Sequence, residues 1–263
     1  MSVHIDSTAI VGKKAQLGDR ITVGPFSIIE DDVIIGEGTT IAAHVVIQRG
    51  TRIGKNGRIF PFASVGGPPQ DLKYKGEPTT LEIGDNCDIR EFVTISRGTV
   101  ETGKTVIGNT CMLMATCHVA HDCVLGDNCI MANSAALAGH VHLGNWVILG
   151  GLTPVHQFVR IGDHAMIGGG LRVPKDVPPY IRTGRDPMVF EGLNTVGLRR
   201  RGFSPQTIEQ IDKAYFILYQ SNLNVTQAVD RMKAELEQTP EVRNILEFIA
   251  SSKRGIISGP GHH

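Results

Sequence analysis

The sequence predicts an all-β solenoid, a three-sided coil of six-residue repeats, followed by a small α-helical domain. Three observations lead there: an aliphatic residue at every sixth position, a small residue four places after it, and a change to helical spacing beyond Pro178-Pro179. The 263 residues carry 26 basic and 26 acidic side chains, so no bulk field favours nucleic acid or an anionic membrane surface. Thirty-one glycines and a single tryptophan fit a turn-rich fold with an aliphatic interior.

Stepping by six from Ile5 to Val173 gives 29 positions, of which 26 hold Ile, Leu, Val or Met; only Asp71, Glu77 and Glu101 break the series. A helix period of 3.6 cannot keep one face apolar under a strict period of six, and strand alternation would not single out one position in six. A three-sided coil does both. Each six-residue segment forms one short side, the aliphatic points inward, and three segments complete a turn. Each buried aliphatic contributes about 1.5–3 kcal/mol before entropy is subtracted, and the stack follows nearest-neighbour logic. The residue after the aliphatic is often glycine, as at Gly12, Gly24, Gly54, Gly108 and Gly126, which reads as a tight corner needing unusual backbone angles. The slot four after the aliphatic holds Ala15, Ser27, Val33 and Thr39, and reads as a second inward position with little room. All five cysteines (87, 111, 117, 123 and 129) fall in that slot without CxxC spacing, so they are expected to be packing rather than ligands or disulfides.

The frame is interrupted at 66–80 and at 101–106, polar and turn-rich segments that read as loops extruded without disturbing the coil. Loops on a rigid scaffold often carry function. Beyond the coil, Ser204-Pro205 opens a helix with Ile208, Ile211, Tyr215 and Leu218 on one face. Val225, Val229, Met232 and Leu236 mark a second helix, and Thr239-Pro240 opens a third. The expected division is a coil domain over 1–190 and a helical domain over 191–258. The closing GPGHH is set apart from both. MSVHIDSTAIVGKK lacks the pattern of a secretory leader, and no stretch approaches the roughly 18 apolar residues of a membrane span. A cytoplasmic protein without membrane insertion is expected.

His118, His121, His140 and His156 lie in the second half of the coil, away from the inward slots. The run CHVAHDC at 117–123 sets two imidazoles three residues apart across Val119. Asp122 and His140 are one full turn of three repeats apart, which stacks them on adjacent rungs at about 4.8 Å. A neutral imidazole beside a carboxylate suits a general base near neutral pH. The same histidines allow a zinc site resembling that of hexapeptide-repeat carbonic anhydrases, or surface positions without function. Spacing alone leaves all three open. Arg199-Arg200-Arg201 at the coil–helix junction reads either as a solvated face or as a site for a phosphate or an acidic protein. No GxxxxGK[ST] loop or GxSxG elbow occurs.

Eight segments taken together resemble one family, the UDP-N-acetylglucosamine O-acyltransferases that begin lipid A synthesis. They are QDLKYKGEPT (70–79), IRE (89–91), RGTV (97–100), HVAHDC (118–123), LAGHV (137–141), VHQF (155–158), KDVPPY (175–180) and RRGFS (200–204). The resemblance implies a left-handed parallel β-helix of hexapeptide repeats, assembled as a homotrimer with active sites between subunits. It implies a 3-hydroxyacyl donor on acyl carrier protein, UDP-N-acetylglucosamine as acceptor, and neither cofactor nor metal. His121 would be the general base and Asp122 the carboxylate that orients it. Asp71, Lys73, His118, His140, His156 and Gln157 would line the cleft, with Asn194, Arg200 and Arg201 at the nucleotide end or donor. Gly169 matches the position that limits acyl length, and a glycine there implies a long chain. The chain departs from the family pattern at Ser96, where many members have His, and at Val196, where some have an acidic residue. Certain members act on a 3-amino analogue of the sugar, so hydroxyl or amine as acceptor stays open.

Overall fold

The computed structural model describes residues 3–260; the last three residues of the GPGHH tail lie outside them. From His4–Ile5 to Met166–Ile167 the chain forms short strands, most of two residues. They stack into three parallel sheets, two of eight strands and one that reaches eleven with a hairpin beyond the coil, the left-handed β-helix of the expectation. Thr22 pairs with Thr40 and Val124 with His142, in each case three repeats further along the chain. The aliphatic slot is buried from Val23 to Val173, whereas Ile5, Val11 and Leu17 at the open end are exposed or half-buried.

The second inward slot is also buried, and its polar members are satisfied. Ser27 Oγ donates to the Ala42 carbonyl at 2.7 Å and Thr39 Oγ1 to that of Gly54 at 3.1 Å, as interior hydroxyls require. The five cysteines occupy the same slot, all buried; Cys111 Sγ, for example, lies 3.2 Å from the Gly126 carbonyl. Burial pushes the Cys117 thiol up to about 11 and that of Cys123 to about 12, which leaves both unreactive.

The glycines after each aliphatic do not turn the corners, contrary to expectation. Positive φ falls instead on the third residue past the aliphatic, mostly not glycine: Arg20, Phe26, Asp32, His44, Asn56 and onward. Each such corner costs roughly 1–2 kcal/mol for an L-residue. Regular bonds to the preceding rung offset this, as between the His44 N–H and the Pro25 carbonyl at 3.0 Å. Stacking along the corner adds to them: Phe26, His44, Phe62 and Phe92 form a ladder with centroids 5.0–5.1 Å apart. The glycines sit where successive rungs nearly touch. A Cβ on Gly24 would lie 2.8 Å from the Ala42 carbonyl carbon, so bare backbone is what lets the rungs close to strand spacing.

Twice the turn is longer than three repeats. Ser64 pairs with Thr94, five repeats on, and Thr94 with His118, four repeats on. The extra lengths are multiples of six, so the inward frame resumes intact. Gly67 pairs in the sheets, as do Thr80 and Lys104 to Val106, which leaves 68–79 and 97–103 as the extruded parts.

An antiparallel hairpin, Ile181–Gly184 with Val189–Leu193, completes the eleven-stranded sheet and leads to four helices. These are α1 (Thr195–Arg200), α2 (Pro205–Gln220), α3 (Val225–Glu235) and α4 (Pro240–Ala250). Ser204 and Thr239 cap α2 and α4 with proline at the first turn, and Asn224 with Gln227 forms a capping box on α3. Helix α1 is too short to show a period, and its cap is Asn194. Tyr215 of α2 donates to the Pro179 carbonyl at 2.6 Å and Asn244 of α4 to Asp163 at 3.1 Å, fixing the helices to the last rungs. Among the described residues no helix is long and apolar enough to cross a membrane.

Two glycine substitutions separate the roles. Gly24→Ala drives a Cβ into the next rung and should cost about 1–3 kcal/mol. At Gly57 the nearest atoms to an added Cβ are 3.6 Å away and φ is not positive. Gly57→Ala should therefore be neutral or stabilise by about 0.4–1 kcal/mol through the unfolded chain. Urea unfolding of both variants checks this, and equal losses would contradict it.

Candidate active site

Beside the second extruded segment, three corners stack. Asp122, His140 and Phe158 occupy them, each one turn beyond the last, with φ of 61°, 63° and 64°. The His140 N–H donates to the His121 carbonyl and the Phe158 N–H to that of Gly139, both at 3.1 Å. The His140 ring stacks on Phe158 with centroids 4.5 Å apart and meets His121 edge-on at 5.3 Å. Gly139 lies against the His121 ring: a Cβ there would fall 2.7 Å from Cε1 and 2.9 Å from Nε2. No side chain at 139 is compatible with this imidazole position.

Asp122 is buried, and both its oxygens are fully engaged. Oδ1 accepts the Thr99 N–H at 2.8 Å and the Thr102 hydroxyl; Oδ2 accepts the Thr99 hydroxyl at 2.7 Å and lies 2.7 Å from His121 Nδ1. Burial pushes the carboxyl up, but hydrogen bonds from Thr102, His121 and Thr99 outweigh it and hold the group below its ordinary value. An ionised Asp122 can only accept, so the Nδ1 of His121 carries the proton and Nε2 presents a lone pair. The His121 side chain is 14% exposed and lines a cleft.

That cleft, about 620 Å³, is walled by His121 and His140, by Asp71 and Lys73 of the 68–79 loop, and by Gln157 and Phe158. Five of the residues singled out from sequence therefore meet in one space. A second cleft of about 900 Å³ at the coil–helix junction holds Asn194, Arg200 and Arg201, and shares no residue with the first. Arg201 lies 4.9 Å from the Trp146 ring centroid, and its Nη1 is 3.4 Å from His164 Nδ1. Burial and the neighbouring Arg201 charge push His164 down to about 4, so it remains a neutral acceptor. Asn194 is spent on structure: Nδ2 donates to the His164 carbonyl at 2.9 Å and Oδ1 accepts from Gly197 at 3.3 Å. Sequence reasoning missed Trp146 and His164, although their separation of one turn at corner positions was there to be read.

Besides the buried Asp122, three singled-out residues line neither cleft. His118 Nδ1 lies 2.7 Å from Thr94 Oγ1, and burial followed by the His121 charge lowers its pKa. His156 Nδ1 lies 3.1 Å from the Gln157 carbonyl. Gly169 stands against the preceding rung, where an added Cβ would be 3.2 Å from the Gly151 carbonyl oxygen.

His121, Asp122 and His140 present donor atoms within 4.8 Å of one another. Their chemistry tells against an ion. Both Asp122 oxygens already accept from protein donors, and a proton lies between Oδ2 and His121. Of the other histidines in the zinc reading, His118 Nδ1 is turned to Thr94 and His156 Nδ1 to the Gln157 carbonyl.

The coil is of the hexapeptide-repeat transferase class: residues 14–49 and 104–139 match the family model described as bacterial transferase hexapeptide (six repeats). Residues 176–257 match a second model, described as UDP N-acetylglucosamine O-acyltransferase, domain 2. A protein of Myxococcus xanthus named acyl-[acyl-carrier-protein]--UDP-N-acetylglucosamine O-acyltransferase is 52% identical over 254 residues, 96% of this chain and 98% of its own. The solved LpxA of Acinetobacter baumannii is 45% identical with a TM-score of 0.93, covering 96% of this chain and 99% of that one. The UDP-N-acetylglucosamine acyltransferase LpxA of Bacteroides fragilis is 46% identical with a TM-score of 0.94, at 96% and 99% coverage. The chain belongs to the UDP-N-acetylglucosamine O-acyltransferase family.

The depressed Asp122 carboxyl carries a pH signature. Its contribution to stability is present above the ordinary carboxylate value and is lost as pH falls through the lower folded value. Asp122→Asn sets an amide among hydrogen-bond donors and should cost about 1–3 kcal/mol at pH 7. In urea unfolding the gap to the parent should narrow below about pH 4. A gap that stays constant down to pH 3 would contradict the assignment.

Proposed function

We propose that this chain transfers a 3-hydroxyacyl group from acyl carrier protein to the 3-hydroxyl of UDP-N-acetylglucosamine, the first step of lipid A biosynthesis, with His121 as general base. One observation carries the reading: His121 Nδ1 is committed to a buried, ionised Asp122, which frees Nε2 at the wall of the larger-loop cleft. The near full-length match to proteins named for this activity supports the substrates. Those names specify O-acylation, which favours the hydroxyl over the 3-amino analogue.

In this mechanism Nε2 takes the proton of the 3-hydroxyl as its oxygen attacks the thioester carbonyl. A C–O bond forms and the carbonyl electron pair moves to oxygen. Collapse of the tetrahedral intermediate breaks the C–S bond, and the departing thiolate of the carrier protein takes the proton back from His121. Asp122 stays ionised throughout and stabilises the imidazolium between the two transfers. A positioned base of this kind is typically worth about 10²–10⁴ in rate. Lys73 offers a cation to the nucleotide phosphates, with Asp71, His140 and Gln157 as polar partners of the sugar. His118, three residues before His121, and His156, beside Gln157, flank that wall. Arg200 and Arg201 meet the nucleotide end or the acidic carrier, Asn194 shapes that cleft by capping the helix that leads to them, and Gly169 leaves the path of a long acyl chain open.

The two clefts share no residue, yet the reaction calls on both. A homotrimer that sets the first cleft of one copy against the second cleft of the next satisfies this, and we take it as the working assembly. Five buried, unpaired cysteines suit the reducing cytoplasm.

His121→Ala should abolish turnover, measured by transfer of labelled acyl group to the sugar nucleotide, while circular dichroism and oligomeric state stay those of the parent. Retention of most activity would remove His121 as the base. Assembly is tested by complementation. Refolding His121→Ala together with Arg201→Ala, each inactive alone, should restore about a quarter of the sites if each site is built from two neighbours in a closed ring. No recovery in verified mixed trimers would mean that each chain holds its own complete site.

A further inference from the structure

We propose that the extruded segment 97–103 is a brace with two positioning roles: Thr99 and Thr102 set the Asp122 carboxylate behind the base, and Arg97 sets the 68–79 loop that faces it. This rests on the reading of His121 as base and of the 68–79 loop as the sugar-nucleotide side of the cleft.

The segment leaves the coil after Ser96 and rejoins it at Lys104. Its side chains spend their hydrogen bonds on the two sides of the cleft. Thr99 grips Asp122 at two points, N–H to Oδ1 at 2.8 Å and hydroxyl to Oδ2 at 2.7 Å. That fork fixes the plane of the carboxylate, and the Thr102 hydroxyl on Oδ1 completes it. Only Oδ2 is then left to face His121. Threonine is stiff at χ1, which suits a grip that must not rotate.

Arg97 ties the opposite wall. Its N–H donates to the Gly67 carbonyl at 2.9 Å and Nη1 to that of Gly66 at 3.0 Å, at the root of the loop. Nη2 and Nε reach Tyr74 Oη at 2.8 and 3.2 Å, in the middle of it. Tyr74 adjoins Lys73 and donates its N–H to the Asp71 carbonyl at 3.0 Å, so the guanidinium holds the backbone carrying both cleft residues. Gly98 lets the two halves approach: its N–H donates to the Thr80 carbonyl at 3.1 Å, and a Cβ there would fall 2.3 Å from the Lys104 nitrogen. The segment adds little to the core, since Val100 is 70% exposed. Its bonds serve placement more than stability.

A shared brace with separate ends predicts separate kinetic signatures. Thr99→Val and Thr102→Val should lower kcat about tenfold or more, because misplacement near the reacting atoms acts on the chemical step. Their KM for UDP-N-acetylglucosamine should stay within about twofold. Arg97→Lys, which keeps the charge but loses the fork, and Tyr74→Phe should raise that KM about tenfold with kcat nearly unchanged. Thr99→Ser and Thr102→Ser retain the hydroxyl and should recover most of kcat; they also serve where a valine variant does not fold. Thermal unfolding identifies any such case. Equal changes of kcat and KM at both ends, unchanged kinetics in the valine variants, or serine variants as impaired as valine would overturn the brace. Substantial activity in His121→Ala would instead overturn the underlying base reading, and the two failures are distinguishable in one set of assays.

Discussion

The structure depends on one backbone constraint: from Arg20 on, the corner residue of nearly every repeat takes a left-handed conformation, and most of these donate their N–H to the rung behind. That repeated corner makes each side of the coil one repeat long and each turn three. Successive rungs then lie in register at strand spacing, with glycine where they would collide. An insertion survives only if its length preserves the frame, and both extruded segments add a multiple of six. The aliphatic stack follows from the corners as much as it drives them, because the inward direction recurs only while the register holds.

The same constraint builds the cleft. Residues one turn apart are stacked neighbours, so Asp122, His140 and Phe158 form a column at one edge of the prism. His121, one place before its corner, looks along that column. What a coil of backbone ladders cannot supply is a set of side-chain donors for a buried carboxylate. The loop supplies these, and together with His121 they hold the Asp122 carboxyl below its ordinary value against the opposing effect of burial. Rigidity comes from the rungs and ionisation from the loop.

Much of this was legible in the residues. The period of six is a statement about side-chain direction, so it gave the coil, its inward slots and the buried cysteines directly. Capping at Ser204 and Thr239 marked two helix starts. The pairing of Asp122 with His140 followed from counting three repeats along the chain. The glycines misled because sequence shows where Cβ is absent without showing whether a dihedral or a neighbouring backbone forbids it. Helix α1 has six residues, too few for a period. Thr99 and Thr102 carried no signal of their contact with Asp122, since a loop's path relative to the coil is set by contacts distant in the chain. Nor does a linear motif reveal that Asp71 and Arg201 belong to different clefts.

The central claim is geometric: His121 Nε2 points at the atom that accepts the acyl group. The most direct measurement is a crystal structure of the protein with bound UDP-N-acetylglucosamine. The account predicts the sugar 3-oxygen within about 2.6–3.2 Å of Nε2, with Nδ1 still on Asp122. A well-ordered sugar whose 3-oxygen faces another side chain, with His121 turned elsewhere, would contradict it.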